Sequence, residues 1–117
     1  MFDKFSHVML MAEDVIRAVN WYKTVLGFTE NFVAETFYAS LRHDEMGCRI
    51  DLHHVDNRQG IGVGPVPYFQ TSKFDDALAK LSAQGVQVGT PRTEGSSMRF
   101  VDFRDSEGNI LGLQEAL

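Results

Sequence analysis

The chain has 117 residues, of which 44% are hydrophobic and 23% charged, the proportions of an ordinary globular chain and not of a disordered or membrane-embedded one. Its net charge of −5 excludes a phosphate-backbone binder, which needs a basic face, so no nucleic acid is expected as a partner. Half this length buries too little surface for a firm core, so a single domain is expected over residues 1–117.

The opening residues Met1-Phe2-Asp3-Lys4-Phe5-Ser6 hold no long apolar run, and Glu13 and Asp14 follow soon after. Neither a signal peptide nor a membrane partner is expected. His7 to Met11 has the length and apolarity of a strand. Asp14 offers a helix N-cap, Val15, Val19, Tyr22 and Leu26 recur at helical spacing, and Gly27 supplies the stop. Phe28–Val33, Thr36–Arg42 and Gly47–His54 read as three strands joined by tight turns. Cys48 is the single cysteine; it cannot form an internal disulfide, which fits a cytoplasmic location, and within a strand it reads as packing. Residues 56–65 are glycine-rich without periodicity and read as a linker; no helix follows Gly60-Ile61-Gly62-Val63-Gly64, so it is not a phosphate cradle. Val66–Thr71 is a strand, and Ser72 with Asp75 predicts a capping box for a helix whose stripe is Phe74, Ala77, Leu78 and Leu81, ended by Gly85. Val86–Thr90, Met98–Arg104 and Asn109–Gln114 complete the predicted strands.

The second half repeats the first. Asp44-Glu45-Met46-Gly47-Cys48-Arg49-Ile50-Asp51-Leu52 aligns with Asp105-Ser106-Glu107-Gly108-Asn109-Ile110-Leu111-Gly112-Leu113, Leu26-Gly27-Phe28 with Gln84-Gly85-Val86, and His7-Val8-Met9-Leu10 with Val66-Pro67-Tyr68-Phe69. The offsets are all about 60 residues, so one βαβββ module occurs twice, over 1–55 and 66–117, in an α+β fold.

Alternation sorts the strands into two faces. Val8, Leu10, Ile50, Leu52, Phe69, Leu111 and Leu113 form an entirely apolar face that must pack under the helices. His7, Met9, Met11, Arg49, Asp51, His53, Val66, Tyr68, Gln70, Gly112 and Gln114 share the other. That mixture of polar, aromatic and soft apolar groups suits a small-molecule cleft. A plainly solvated sheet face is the alternative.

The order of these landmarks resembles the vicinal oxygen chelate superfamily, which includes glyoxalase I, fosfomycin-resistance enzymes, extradiol dioxygenases and bleomycin-resistance proteins. The matching pieces are His7 opening the first strand, Asn20-Trp21-Tyr22-Lys23-Thr24-Val25-Leu26-Gly27-Phe28 ending the first helix, and Asp105-Ser106-Glu107-Gly108-Asn109 before the last strand, with Ser106 where the family usually has proline. The resemblance implies two curved half-barrel sheets with helices on the outer face, enclosing a cleft. It also implies that metal-using members draw ligands from the positions of His7, Asp51, Val66 and Gly112. Valine and glycine have no donor side chain, so no metal and no other cofactor is expected.

The first functional reading is therefore a metal-free binding module of the bleomycin-resistance type, with no catalytic residues, holding a partly aromatic small-molecule ligand. Its candidate ligand-binding residues are His7, Met9, Asp51, His53, Tyr68, Gln70, Tyr38 and Arg99; Phe100 is a further stacking candidate, and Arg42 and Arg49 further partners for an anionic group. His7 with Asp51 makes either an acid–base pair or a structural hydrogen bond. The second reading is a metal-dependent lyase, isomerase or thiol transferase of the glyoxalase I or fosfomycin-resistance type. A homodimer is expected on family grounds.

Overall fold

The computed structural model describes residues 1–93, 95 and 97–116. They form two compact units, Met1–Ile61 and Gly62–Leu117, each with one helix and one mixed sheet.

In the first unit, strand β1 (Val8–Ala12) leads through Asp14 into helix α1 (Val15–Leu26). The Asp14 carboxylate accepts a hydrogen bond from the Arg17 amide at 3.0 Å, satisfying one of the helix's orphan donors. Gly27 ends the helix at φ 75°, a left-handed conformation that other residues adopt only under strain. Strands β2 (Thr29–Ala34), β3 (Tyr38–His43) and β4 (Cys48–His54) follow, and the sheet order is β1-β4-β3-β2. β1 runs parallel to β4, while the other pairs are antiparallel. Val15, Ala18, Val19 and Tyr22 on the helix bury against Ala39, Leu41, Ile50 and Leu52 on the sheet. That is the apolar face that alternation predicts.

The second unit repeats the plan with β5 (Tyr68–Thr71), α2 (Phe74–Ala83), β6 (Phe100–Arg104) and β7 (Ile110–Glu115), in sheet order β5-β7-β6. Its core is Phe74, Leu81, Val101, Phe103, Leu111 and Leu113. β5 runs parallel to β7 as β1 does to β4, and Tyr68 lies opposite Gly112 as Met9 lies opposite Asp51. The repeat read from the sequence is thus a repeat of topology and register, and both sheets are open rather than closed barrels.

Three local expectations are corrected. The capping box of Ser72 and Asp75 does not form: the helix begins at Phe74 without a side-chain cap, Thr71 Oγ1 instead accepts from the Lys73 amide at 3.0 Å, and Asp75 is drawn to Arg99. The strand expected at Val86–Thr90 is reduced to an isolated bridge between Val88 and Phe103, with a second bridge pairing Arg92 and Phe100. Pro91 has no amide hydrogen to continue a ladder there. The strand expected from Val66 starts only at Tyr68, because Pro67 cannot donate; its carbonyl still accepts from the Gly112 amide at 2.8 Å.

Candidate functional site

The inner face of the first unit's sheet is built around one buried carboxylate. Direct register partners share a face, so Met9, Ser40 and Asp51 lie side by side, flanked by Met11, Tyr38 and His53 on one side and by Arg42 and Arg49 on the other. Asp51 and Ser40 are both 0% exposed. A buried carboxylate is tolerable only when its lone pairs are filled, and here they are. Arg49 grips it with two hydrogen bonds, Nε to Oδ1 and Nη2 to Oδ2, each at 2.9 Å. The Tyr38 hydroxyl donates to Oδ2, and the Ser40 hydroxyl also donates to the carboxylate. His7 Nε2 stands 3.5 Å from Oδ2.

These contacts set the protonation states. Burial pushes the Asp51 pKa up, but the hydrogen bonds from Arg49, Tyr38 and Ser40 outweigh it and hold the carboxyl below its ordinary value of 3.8. Burial, reinforced by Asp51, raises the Tyr38 phenol, which therefore stays a proton donor. The Asp51 hydrogen bonds also raise Arg49. Burial pushes the Cys48 thiol up as well, away from the thiolate that a nucleophile needs.

Beyond Asp51 the network runs outward to β2. β2 carries a bulge between Glu30 and Phe32, leaving Asn31 without a register partner. Asn31 keeps the parity of Thr29, the partner of Arg42, and so stays on this face. Asn31 Nδ2 donates to Ser40 Oγ at 3.2 Å, and its Oδ1 accepts from Arg42 Nη1 at 2.9 Å. The same bulge places Phe32 opposite Ser40, so its ring stacks on Tyr38 with centroids 6.1 Å apart and planes 16° from parallel. His53 meets Tyr38 edge-on at 6.0 Å, while its Nδ1 is occupied by the His54 carbonyl at 2.7 Å.

The corresponding face of the second unit is differently filled. The Tyr68 ring lies over Gly112 so closely that a Cβ there would come within 2.4 Å of it. Its hydroxyl donates to Asp102 at 2.9 Å, and Arg92 lies 4.6 Å from the Phe100 ring centre. Gly112, the counterpart of Asp51, is thus a floor under an aromatic ring. Gln70 shares this face and lies opposite Gln114. Arg99 does not join it: it pairs with Asp75 at 2.8 Å and Glu115 at 3.1 Å, with its guanidinium 4.6 Å from the Phe74 ring centre beside α2. Its neighbour Phe100 is the residue in register with Tyr68's face.

The sequence profile of the Glyoxalase/Bleomycin resistance protein/Dioxygenase superfamily matches residues 4–113. The chain belongs to this superfamily. None of the curated proteins matches the chain in sequence. Among solved structures, a genomically encoded fosfomycin resistance protein, FosX, from Listeria monocytogenes superposes with a TM-score of 0.81 at 18% identity, covering 100% of this chain and 96% of its own. A lactoylglutathione lyase from Agrobacterium tumefaciens gives 0.75 at 16% identity over 98% and 95% of the two chains. An integron cassette protein from the mobile metagenome of V. cholerae gives 0.71 at 24% identity over 100% and 98%. These likenesses are of fold.

For this glyoxalase-superfamily chain, the metal that some members use can be tested against the donors present. A carboxylate has about four lone-pair sites. Two hydrogen bonds from Arg49 and one each from Tyr38 and Ser40 occupy that number on Asp51. The guanidinium already neutralises the charge a cation would meet. Among the described residues no group of three or more His, Cys, Asp or Glu is placed to hold a metal ion. The donor set does not fit a catalytic metal.

Proposed function

We propose that this superfamily member is a small-molecule-binding protein that works without a metal, holding a partly aromatic ligand on the inner sheet face of its first unit. The observation that carries the reading is the bidentate Arg49–Asp51 pair, which puts an organic cation where the superfamily's metal users need a free ligand. The Phe32–Tyr38 stack beside it, with Phe32 exposed and Tyr38 half-buried, supports an aromatic ligand, since flat rings add area at low entropic cost. Met9 supplies adaptable apolar contact, and His7 and His53 flank the site with polar edges. The reading carries a cytoplasmic location and a twofold homodimer with it, both on family grounds.

A metal-dependent lyase, isomerase or thiol transferase would require Arg49 to release Asp51 and a third donor to arrive. Thermal unfolding in the presence of naphthalene, quinoline and indole derivatives tests the binding reading, because a ligand selective for the native state raises the midpoint. A rise with some of these compounds, lost in Phe32→Ala and retained in Tyr68→Ala, is expected. No rise with any of them, or a rise untouched by Phe32→Ala, contradicts the assignment to this face.

A further inference from the structure

We infer that the ligand of this face is an aromatic carboxylate, its ring laid against the Phe32–Tyr38 stack and its anion held between Arg42 and Arg49. The inference rests on the proposed binding reading and adds the ligand's charge to it. Arg42 and Arg49 are direct partners across β3 and β4, so two guanidinium groups rise side by side from one face. Like charges so opposed destabilise a sheet unless an anion relieves them. Asp51 relieves one of the two, gripped by Arg49 from below. Among the described residues Arg42 is ion-paired to Asp44, 3.1 Å from its Nε, and that acid is 79% exposed, so solvent screens most of its pull.

Arg42 is held in place rather than free to wander. Its Nη1 donates to the Glu30 carbonyl at 3.2 Å and to Asn31 Oδ1 at 2.9 Å, and its Nε is turned to Asp44. Those bonds leave its Nη2 without a hydrogen-bond partner among the described residues. A guanidinium so pre-oriented loses little entropy on taking a carboxylate. The strand face itself carries two guanidinium groups against one carboxylate, in a chain whose net charge is −5. Selection for an anion at this place is local, against the charge of the molecule as a whole. The aromatic stack adjoins it, because the Tyr38 hydroxyl and Arg49 Nη2 meet at the same Asp51 oxygen.

The test is calorimetric titration of the whole protein with 2-naphthoate and with 2-naphthalenemethanol, matched in ring but not in charge. At low ionic strength the acid is expected to bind about tenfold more tightly than the alcohol, and added salt should erase that preference while leaving the alcohol's affinity unchanged. Arg42→Gln, at a solvent-facing position, is expected to reduce the preference to about threefold or less. Phe32→Ala should weaken both compounds alike. Equal affinity for the two, or a preference intact in Arg42→Gln, overturns the anion assignment and leaves the aromatic binding reading standing. Failure of both compounds to bind at millimolar concentration overturns that reading too.

Discussion

At the scale of single residues, the molecule turns on how Asp51 is kept charged out of water. Removing Arg49 alone orphans a buried carboxylate. Because the Arg49 side chain is 35% exposed, water moderates the loss, and Arg49→Gln is expected to cost roughly 2–3 kcal/mol in chemical denaturation. Replacing both partners, Arg49→Met with Asp51→Leu, removes the orphan and should recover most of that loss. A double variant no more stable than Arg49→Gln would show that the pair is not the source. The pH dependence follows from the same contacts. The folded Asp51 pKa lies below its ordinary 3.8, so its contribution is complete above that value and is lost as the pH falls through the lower folded one. Unfolding free energies measured between about pH 2 and 4 should therefore fall less steeply in the double variant than in the native chain. Alternation along β4 makes Asp51 legible from sequence as an inward residue. It does not reveal that Arg49, two residues back, is the group that grips it through Nε and Nη2.

At the scale of elements, helix α1 was fully legible: Asp14 and Gly27 mark its ends because each end needs a specific chemistry, an acceptor side chain and a left-handed residue. Asp14→Ala is expected to cost about 1 kcal/mol of stability by the same measurement. β2 was legible as a strand but not in its facing, since a bulge adds a residue without changing composition and so reverses which residues beyond it face inward. Phe32 enters the site only through it, whereas Asn31 keeps the parity of Thr29, the partner of Arg42. β6 illustrates the same sensitivity: a shift of one residue separates Arg99, paired beside α2, from Phe100 on the Tyr68 face. Under Tyr68, Gly112 is fixed by space rather than by backbone angle. Gly112→Ala must push the ring away and break its 2.9 Å bond to Asp102, at about 1–2 kcal/mol. In a Tyr68→Ala background the same change should be close to neutral. A cost that persists there would mean that the ring is not what excludes a side chain.

At the scale of the whole molecule, the duplication was legible because apolar alternation, helix stops and the Asp-Gly turns recur at one offset, and the structure returns it as matching topology and register in both units. What divergence did to the two copies was only half legible. Valine and glycine at copy-two positions announce missing donors, but that a guanidinium and two hydroxyls together fill the remaining carboxylate is a fact of three-dimensional contact. We propose that both modules belong to a single domain, as their size suggests. A fragment of residues 1–61 expressed alone should unfold at lower denaturant than the full chain, being too small to bury a firm core. We propose that Arg49 takes the place of a metal on Asp51. Equilibrium dialysis of the purified chain against micromolar nickel, manganese or zinc, followed by metal analysis, tests it most directly. Binding well below one ion per chain, with no change in His7→Ala, is expected; one ion per chain, abolished by His7→Ala or Asp51→Asn, would overturn the assignment.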